Sequence, residues 1–462
     1  MRLLFHSERE AGYGSGSKEG GLLIPLNAII LITAVTLTLP VTLAAAADGY
    51  TYYANRWMVS EVPPNVVKPP FTLLWEKSPI LFESLNPAGL SESASRRIAL
   101  TEHGFVSVMR KTLYLLDKNN GEILWTRALP GNDITDWKVT GSLFLYTSVD
   151  YETNELIRGV IDVAERKENW IQKDPRPKLY QMESLMPSEV GLVIYFSNGG
   201  NKGINDAIVA IDLKTGDVKW RSSTDAERAS VVSFSWFILG DRLCVLVAPT
   251  SGGLYLKTFD LIDGKALATN HIFGTDRLGN LPHPAVVTPD GIVFIGYNKR
   301  LTPSALSLLS YDTKTNKLLW SRDISIADQK DLTYFRHILH SAGTNLMVAT
   351  VWPNRFIVFD SEKGTILKDA RLSDYVGWTD RNTSLYSYPY LFTGARRTKG
   401  QSMAFDLIAL NLETGKADWS YEMETQNRNF TFPVGDTLNF VIKDDQVYIG
   451  RSDAKIMSFR HK

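Results

Sequence analysis

Seven histidines and one cysteine are the side chains of this 462-residue chain best suited to metal binding or nucleophilic chemistry. His337 and His340 stand three apart in FRHILHSAG. On a helix that spacing would set two imidazoles on one face, as a transition metal requires. The flanking residues read as a strand, where positions three apart face opposite ways, so the pair is expected to be structural. His283, in LPHPAV, falls in a loop between strand-like runs. Cys244 lies inside the apolar run LCVLV and reads as a buried strand residue. A lone cysteine excludes an internal disulfide and any site built on several thiolates. There is no zinc-helix signature, phosphate loop or nucleophile elbow. No catalytic, cofactor-binding or metal-ligating residue is expected.

Aspartate and tryptophan recur far more regularly. AIVAIDLKTGDVKW (207–220), LYLLDKNNGEILW (113–125) and LIALNLETGKADW (407–419) each hold an apolar run, an Asp or Asn, a turn with Gly, and a second run closing on Trp. The closing positions are Trp75, Trp125, Trp170, Trp220, Ala268, Trp320, Lys368 and Trp419, spaced 45–52 residues apart. A second marker stands eight residues before each from the second onward: Asp117, Asp162, Asp212, Asp260, Asp312, Asp360 and Asn411. Ala268 and Lys368 are placed by that offset. A fixed period of this length is the mark of a repeat architecture.

The positioning elements follow from local physics. The runs are rich in branched and aromatic residues and read as strands. Asp can cap the turn with its carboxylate, and Gly accepts positive φ without steric cost. Two further strand-like runs precede each hairpin. Four antiparallel strands per repeat make a propeller blade, and a Trp on the outer strand is large enough to fill the gap to the next blade. FTLLWEKS (71–78) is a lone closing strand, while LNFVIKDDQVYIGRSDAKIMSFRHK (438–462) supplies strands but no closing Trp. Together they are expected to complete a blade from both chain ends. The expectation is an all-β, eight-bladed β-propeller over residues 71–462, after an N-terminal apolar helix.

These repeat units resemble the pyrroloquinoline-quinone-type propeller repeat, in which an apolar strand runs into Ala-Leu-Asp, a Thr-Gly turn and a closing Trp. The resemblance covers residues 71–462; the repeats closing at Ala268 and Lys368 depart from it, which implies looser packing or a more exposed edge there. It implies one of two kinds of protein: quinone-dependent dehydrogenases, or non-catalytic scaffolds such as the lipoprotein of the bacterial outer-membrane barrel-assembly machinery. The enzymes often carry adjacent cysteines over the cofactor, a calcium site and an acidic base. One cysteine forbids the vicinal disulfide, and no acidic cluster is assignable to calcium. The resemblance therefore points to the non-catalytic branch, without a cofactor.

Variable connections on a regular scaffold are where binding resides. The segments just before the hairpins are long: 198–206, 248–253, 297–305 and 394–403. Two are basic, with Lys299 and Arg300, then Arg396, Arg397 and Lys399. The stretch 374–392 adds Tyr375, Trp378, Tyr386, Tyr388 and Tyr390. Tyr, Trp and Arg anchor interfaces, so Arg300, Arg396, Arg397, Lys399, Tyr375 and Trp378 form the candidate partner-binding face. The alternative is that the tyrosines fill the blade core and the basic residues are ordinary solvated loops.

With 50 Lys+Arg and 50 Asp+Glu the chain is neutral and has no global field to attract nucleic acid or an anionic membrane. Residues 1–20 are polar, 21–47 carry no charge, and 48–70 form a proline-rich linker. The apolar segment is long enough to span a bilayer. Three readings stand open: a secretory signal cut before Asp48, an uncleaved anchor, or a segment resembling the class III signal of archaeal pilin-like proteins, with Lys18, Gly20, Gly21 and Pro25 matching and Glu19 interrupting. In the last case the protein would be a surface-filament subunit with a propeller head. No cysteine follows the apolar stretch, so a lipoprotein anchor is excluded. All three readings place the propeller outside the cytoplasm, with a protein or envelope partner. NTS at Asn382 and NFT at Asn429 are glycan sequons.

Overall fold

The computed structural model describes residues 68–77, 98–109, 111–175, 182–188, 191–197, 205–227, 231–249, 252–274, 286–288, 290–298, 305–325, 335–341, 344–378, 384–400, 402–427, 438–443, 446–451 and 455–461. The chain divides into two units, Met1–Ala45 and Ala46–Lys462. The first unit, the rest of the expected apolar segment and the linker up to residue 67 lie outside the described residues, as do Asn382 and Asn429 of the two sequons.

Among the described residues all regular structure is β, arranged as antiparallel sheets of a β-propeller. Seven sheets each come from one contiguous stretch: blade 1 (98–128), blade 2 (133–175), blade 3 (182–227), blade 4 (231–273), blade 5 (286–325), blade 6 (335–371) and blade 7 (377–427). An eighth is composite: Leu438–Lys443, Gln446–Arg451 and Ile456–His461 are completed by Phe71–Lys77, which pairs with the last of them. Each of the seven contiguous sheets has four strands in chain order, except that the inner strand of blade 7 is split into Gly377–Trp378 and Leu385–Ser387. The core is correspondingly divided. Eight apolar clusters each join two neighbouring sheets, and the one uniting Ile98 and Phe105 with Tyr448 and Ile456 closes the circle. Closure leaves no open seam between first and last sheets.

The seven hairpins share one design. The Asp or Asn side-chain oxygen accepts the N–H two residues on at 2.6–2.9 Å and also the N–H three residues on. Four residues after it the backbone turns left-handed. Gly121, Gly216, Gly264, Gly364 and Gly415 fill that position in five hairpins, Arg166 (φ 56°) and Asn316 (φ 55°) in the others. A bulge follows, and the closing residue always pairs with the residue two before the Asp. Trp220 faces Ala210 and Trp320 faces Ser310; in the same register Ala268 faces Thr258 and Lys368 faces Val358. The register puts the two departures at the position their offset predicts.

Four closing tryptophans, Trp75, Trp170, Trp220 and Trp320, reach the next blade's hairpin. A β-carbon on Gly264 would lie 2.4 Å from the ring of Trp220, and one on Gly364 2.5 Å from Trp320. The indole N–H groups of Trp170, Trp220 and Trp320 donate to the carbonyls of Leu213, Leu261 and Ser361 at 2.9–3.0 Å, in each case the residue just after the hairpin Asp. Trp75 lies on Gly121, and Trp419 donates to the carbonyl of Phe71 at 3.1 Å. Trp125 packs half-buried against the cluster between blades 1 and 2. Where Trp is absent, polar groups bridge instead. Lys368 donates to the carbonyl of Glu413 at 2.5 Å, and Asn270 donates to Asn316 at 2.9 Å. These joints are polar where the others are aromatic, which is the physical content of the two departures.

Candidate partner-binding face

The ends of the blades are chemically different. One carries the seven hairpins, six begun by Asp and one by Asn411. The other carries the connections between second and third strands and those between blades. Blade 7 dominates the described part of this second end. Its strands Tyr390–Lys399, Ser402–Asn411 and Lys416–Asn427 are 10, 10 and 12 residues long. Segment 394–403, expected as a loop, is mostly paired strand: Gly394 faces Leu407 and the ladder continues to Lys399 opposite Ser402. Gly400, at φ +59°, makes the turn. Cross-strand ion pairing supports the extension. Arg397 Nε donates to Asp406 Oδ2 at 2.5 Å and its Nη2 donates to Glu422 Oε2 at 2.5 Å. Lys399 Nζ donates to Glu422 at 2.8 Å.

The electrostatics follow. Burial pushes the Asp406 carboxyl above the usual range, and Arg397 opposes that shift. Its partners hold the Arg397 guanidinium more firmly protonated, the hydrogen bond to Asp406 first among them. Arg397 and Lys399 are thus matched by acids and do not form a bare cationic patch. Arg396 differs. Its half-buried guanidinium also lies 5.7 Å from the ring centroids of both Trp352 and Phe405, within cation–π range of each.

Two expected anchors are corrected. Tyr375 is 8% exposed and Trp378 2% exposed; both belong to the cluster between blades 6 and 7. Burial drives the Tyr375 phenol up to about 12. The Trp378 indole donates to the carbonyls of Val351 and Arg355 at 3.1 and 3.3 Å. Both are core residues, because the short strand Gly377–Trp378 lies on the inner edge of blade 7. Tyr386 is also buried, while Tyr388 and Tyr390 donate to Glu413 and Asp418 near the hairpin end. Arg300 lies outside the described residues. The face therefore brings together Arg396, Arg397 and Lys399. Sequence reasoning missed Trp352, Phe405, Asp406 and Glu422; the WPN turn at 352–354, a Trp in a tight connection, was the available signal.

His340 stacks on Phe294 and lies 3.3 Å from the hydroxyl of Ser361. Cys244 is buried, and its thiol is pushed up to about 12 by desolvation. Among the described residues no three His, Cys, Asp or Glu side chains converge as metal ligands, and no helix is long and apolar enough to cross a membrane.

Sheets, hairpins and closing tryptophans define a quinoprotein-type repeat propeller. The chain belongs to the repeat family described as outer membrane protein assembly factor BamB, whose model matches residues 72–246 and 202–370, well over half of it. No curated protein matches the chain. Among solved structures, BamB from Moraxella catarrhalis is 15% identical, with 85% of this chain and 100% of that one covered and a TM-score of 0.49. The quinohemoprotein alcohol dehydrogenase ADHIIG from Pseudomonas putida HK5 is 11% identical, covering 84% and 76%, with a TM-score of 0.53. A europium-containing methanol dehydrogenase is 10% identical, covering 87% and 96%, with a TM-score of 0.56. At such identities the last two speak for the fold alone.

Proposed function

We propose that this protein is an extracytoplasmic, non-enzymatic scaffold, membrane-anchored or secreted, whose eight-bladed ring presents a protein-binding face at the connection end of blades 6 and 7. Family membership carries the reading: the matching family is described by an assembly factor. The face supports it, since Trp352 and Arg396, residue types that concentrate binding energy, lie together there with Phe405 buried beside Arg396. The Arg397–Asp406–Glu422 pairing holds the strands beneath that group in place. A photo-crosslinking residue at Thr398, compared with one at Lys214 on the hairpin end, tests it in the native envelope. The expected result is a discrete protein adduct from position 398 that is lost in Arg396→Ala. Adducts of equal yield from both positions, or none from 398, would refute the face.

A second reading is a quinoprotein-like redox enzyme, favoured by the fold shared with the two dehydrogenases. Pyrroloquinoline quinone with calcium should then give a cofactor absorbance and dye reduction; failure of both removes it. These two relatives bear on the fold alone, so the scaffold is preferred.

A further inference from the structure

The exposed large apolar side chains are not scattered. Among the described residues all but Tyr151 and Val376 lie at one level, in the Asp260 hairpin or just before a closing position on an outer strand. Leu318 and Leu319 precede Trp320, Ile366 and Leu367 precede Lys368, and Ile123 and Leu124 precede Trp125. Stretches of the propeller rim are thus apolar at the hairpin end. Exposed apolar surface concentrated in one place marks contact with a partner or a membrane.

The chain itself indicates which. Phe71 pairs with His461, the last residue of the third strand in the composite sheet. In the other blades the third strand ends at the hairpin Asp or Asn or one residue before it, so the outer strand starts at the hairpin end. Phe71–Lys77 obeys the same geometry. The chain therefore enters the propeller, at residues 68–70, at the end where the apolar rim lies. Residues 1–70 include the 27 uncharged residues 21–47, long enough to span a bilayer, joined by the proline-rich segment 48–70. The hairpins between the apolar pairs alternate acids and bases, such as Lys214 with Asp217 and Glu362 with Lys363. Such a surface has no dependence on anionic lipid.

We propose that the hairpin-end rim lies against the bilayer that holds the protein's own N-terminal segment, with the connection face turned away from it. The occupant is a lipid surface, recognised by apolar contact and not by charge. The inference rests on the reading that residues 21–47 anchor the chain, and it deepens that reading by fixing which end is free for a protein partner.

The full chain reconstituted in phosphatidylcholine vesicles tests it. Cys244 is buried, so Leu319→Cys and Thr398→Cys each carry one accessible label, on opposite ends. Spin-labelled phosphatidylcholine should quench a fluorophore at 319 at least about twofold more than one at 398. Replacing Leu318 and Leu367 with Ser should shrink that difference. If the chain floats with vesicles but both labels are quenched alike, the contact is refuted while anchoring stands. If the chain does not float, the anchor reading falls and takes the contact with it. Stronger quenching at 398 would reverse the orientation and overturn the proposal.

Discussion

Gly264 carries two separable constraints, so one double-mutant cycle can weigh the joint between blades. Its φ is +73°, where an L-residue costs about 1–2 kcal/mol. A β-carbon there would also stand 2.4 Å from Trp220, so the ring must withdraw by about 1 Å, an overpacking cost of about 1–3 kcal/mol. Gly264→Ala should therefore destabilise the protein by about 2–5 kcal/mol. Gly240 supplies the control: its φ is +58° and nothing lies within 4 Å of its absent β-carbon. Gly240→Ala should cost only the backbone share, about 1–2 kcal/mol. Trp220→Ala alone should cost about 3–5 kcal/mol. The three nearest obstacles to a β-carbon at position 264 are all atoms of that ring, so the pair should be less harmful than the sum by about 1–3 kcal/mol. Urea unfolding of the four proteins, followed by fluorescence, measures this. Additivity within about 0.5 kcal/mol, or equal losses at positions 240 and 264, would refute the claim that the indole seated on the hairpin glycine holds the blades together.

The remaining predictions concern the same hairpins. Hydrogen bonds from Thr315, its side chain first, hold the Asp312 carboxyl below its usual range. A depressed folded-state value contributes stability above the unfolded value and loses it as pH falls through the acid range. Asp312→Asn should keep the turn, as Asn411 does in blade 7, and flatten the fall of the urea midpoint between about pH 5 and 3. Arg166→Gly relieves a left-handed non-glycine residue and should raise stability by up to about 1 kcal/mol in urea unfolding; a loss would show that the Arg side chain matters more than its backbone. Lys368→Trp should place an indole over Gly415, as at four other joints, and stabilise by about 1 kcal/mol after loss of the Lys368–Glu413 bond; a fall in the urea midpoint would show that joint to be built for a cation.

Legibility in the sequence tracked how local the physics was. The Asp-capped turn, the Gly four residues later and the closing Trp are short-range devices, so the period, the hairpins and the register of Ala268 and Lys368 could be read directly. The joining of Phe71–Lys77 to the C-terminal strands was legible because each end lacked what the other supplied. The partner face was only partly legible. Residue type shows that Tyr375 and Trp378 are large and aromatic, but not which side of a two-residue inner strand meets the core. The 394–403 segment carries Gly, Thr and charges like a loop; its pairing depends on Asp406 and Glu422, which lie on neighbouring strands. Arg396 and Arg397 are adjacent and identical in type, yet strand alternation sends one onto Trp352 and the other into an ion pair.

The strand that completes the ring is also the first strand after residue 70, which gives the propeller a mechanical character. Any tension on the preceding chain enters at Phe71, where the strand meets His461, and not along its length. Load applied there across the strand separates its hydrogen bonds one after another, a weaker geometry than load along it, which strains them together. The loaded end is bolted accordingly. The Phe71 ring lies 4.9 Å from Phe392 and 5.2 Å from Trp419, and its carbonyl accepts the Trp419 indole N–H. Two aromatic contacts and a side-chain hydrogen bond from blade 7 thus stand between a pull on the N-terminal segment and the opening of the ring.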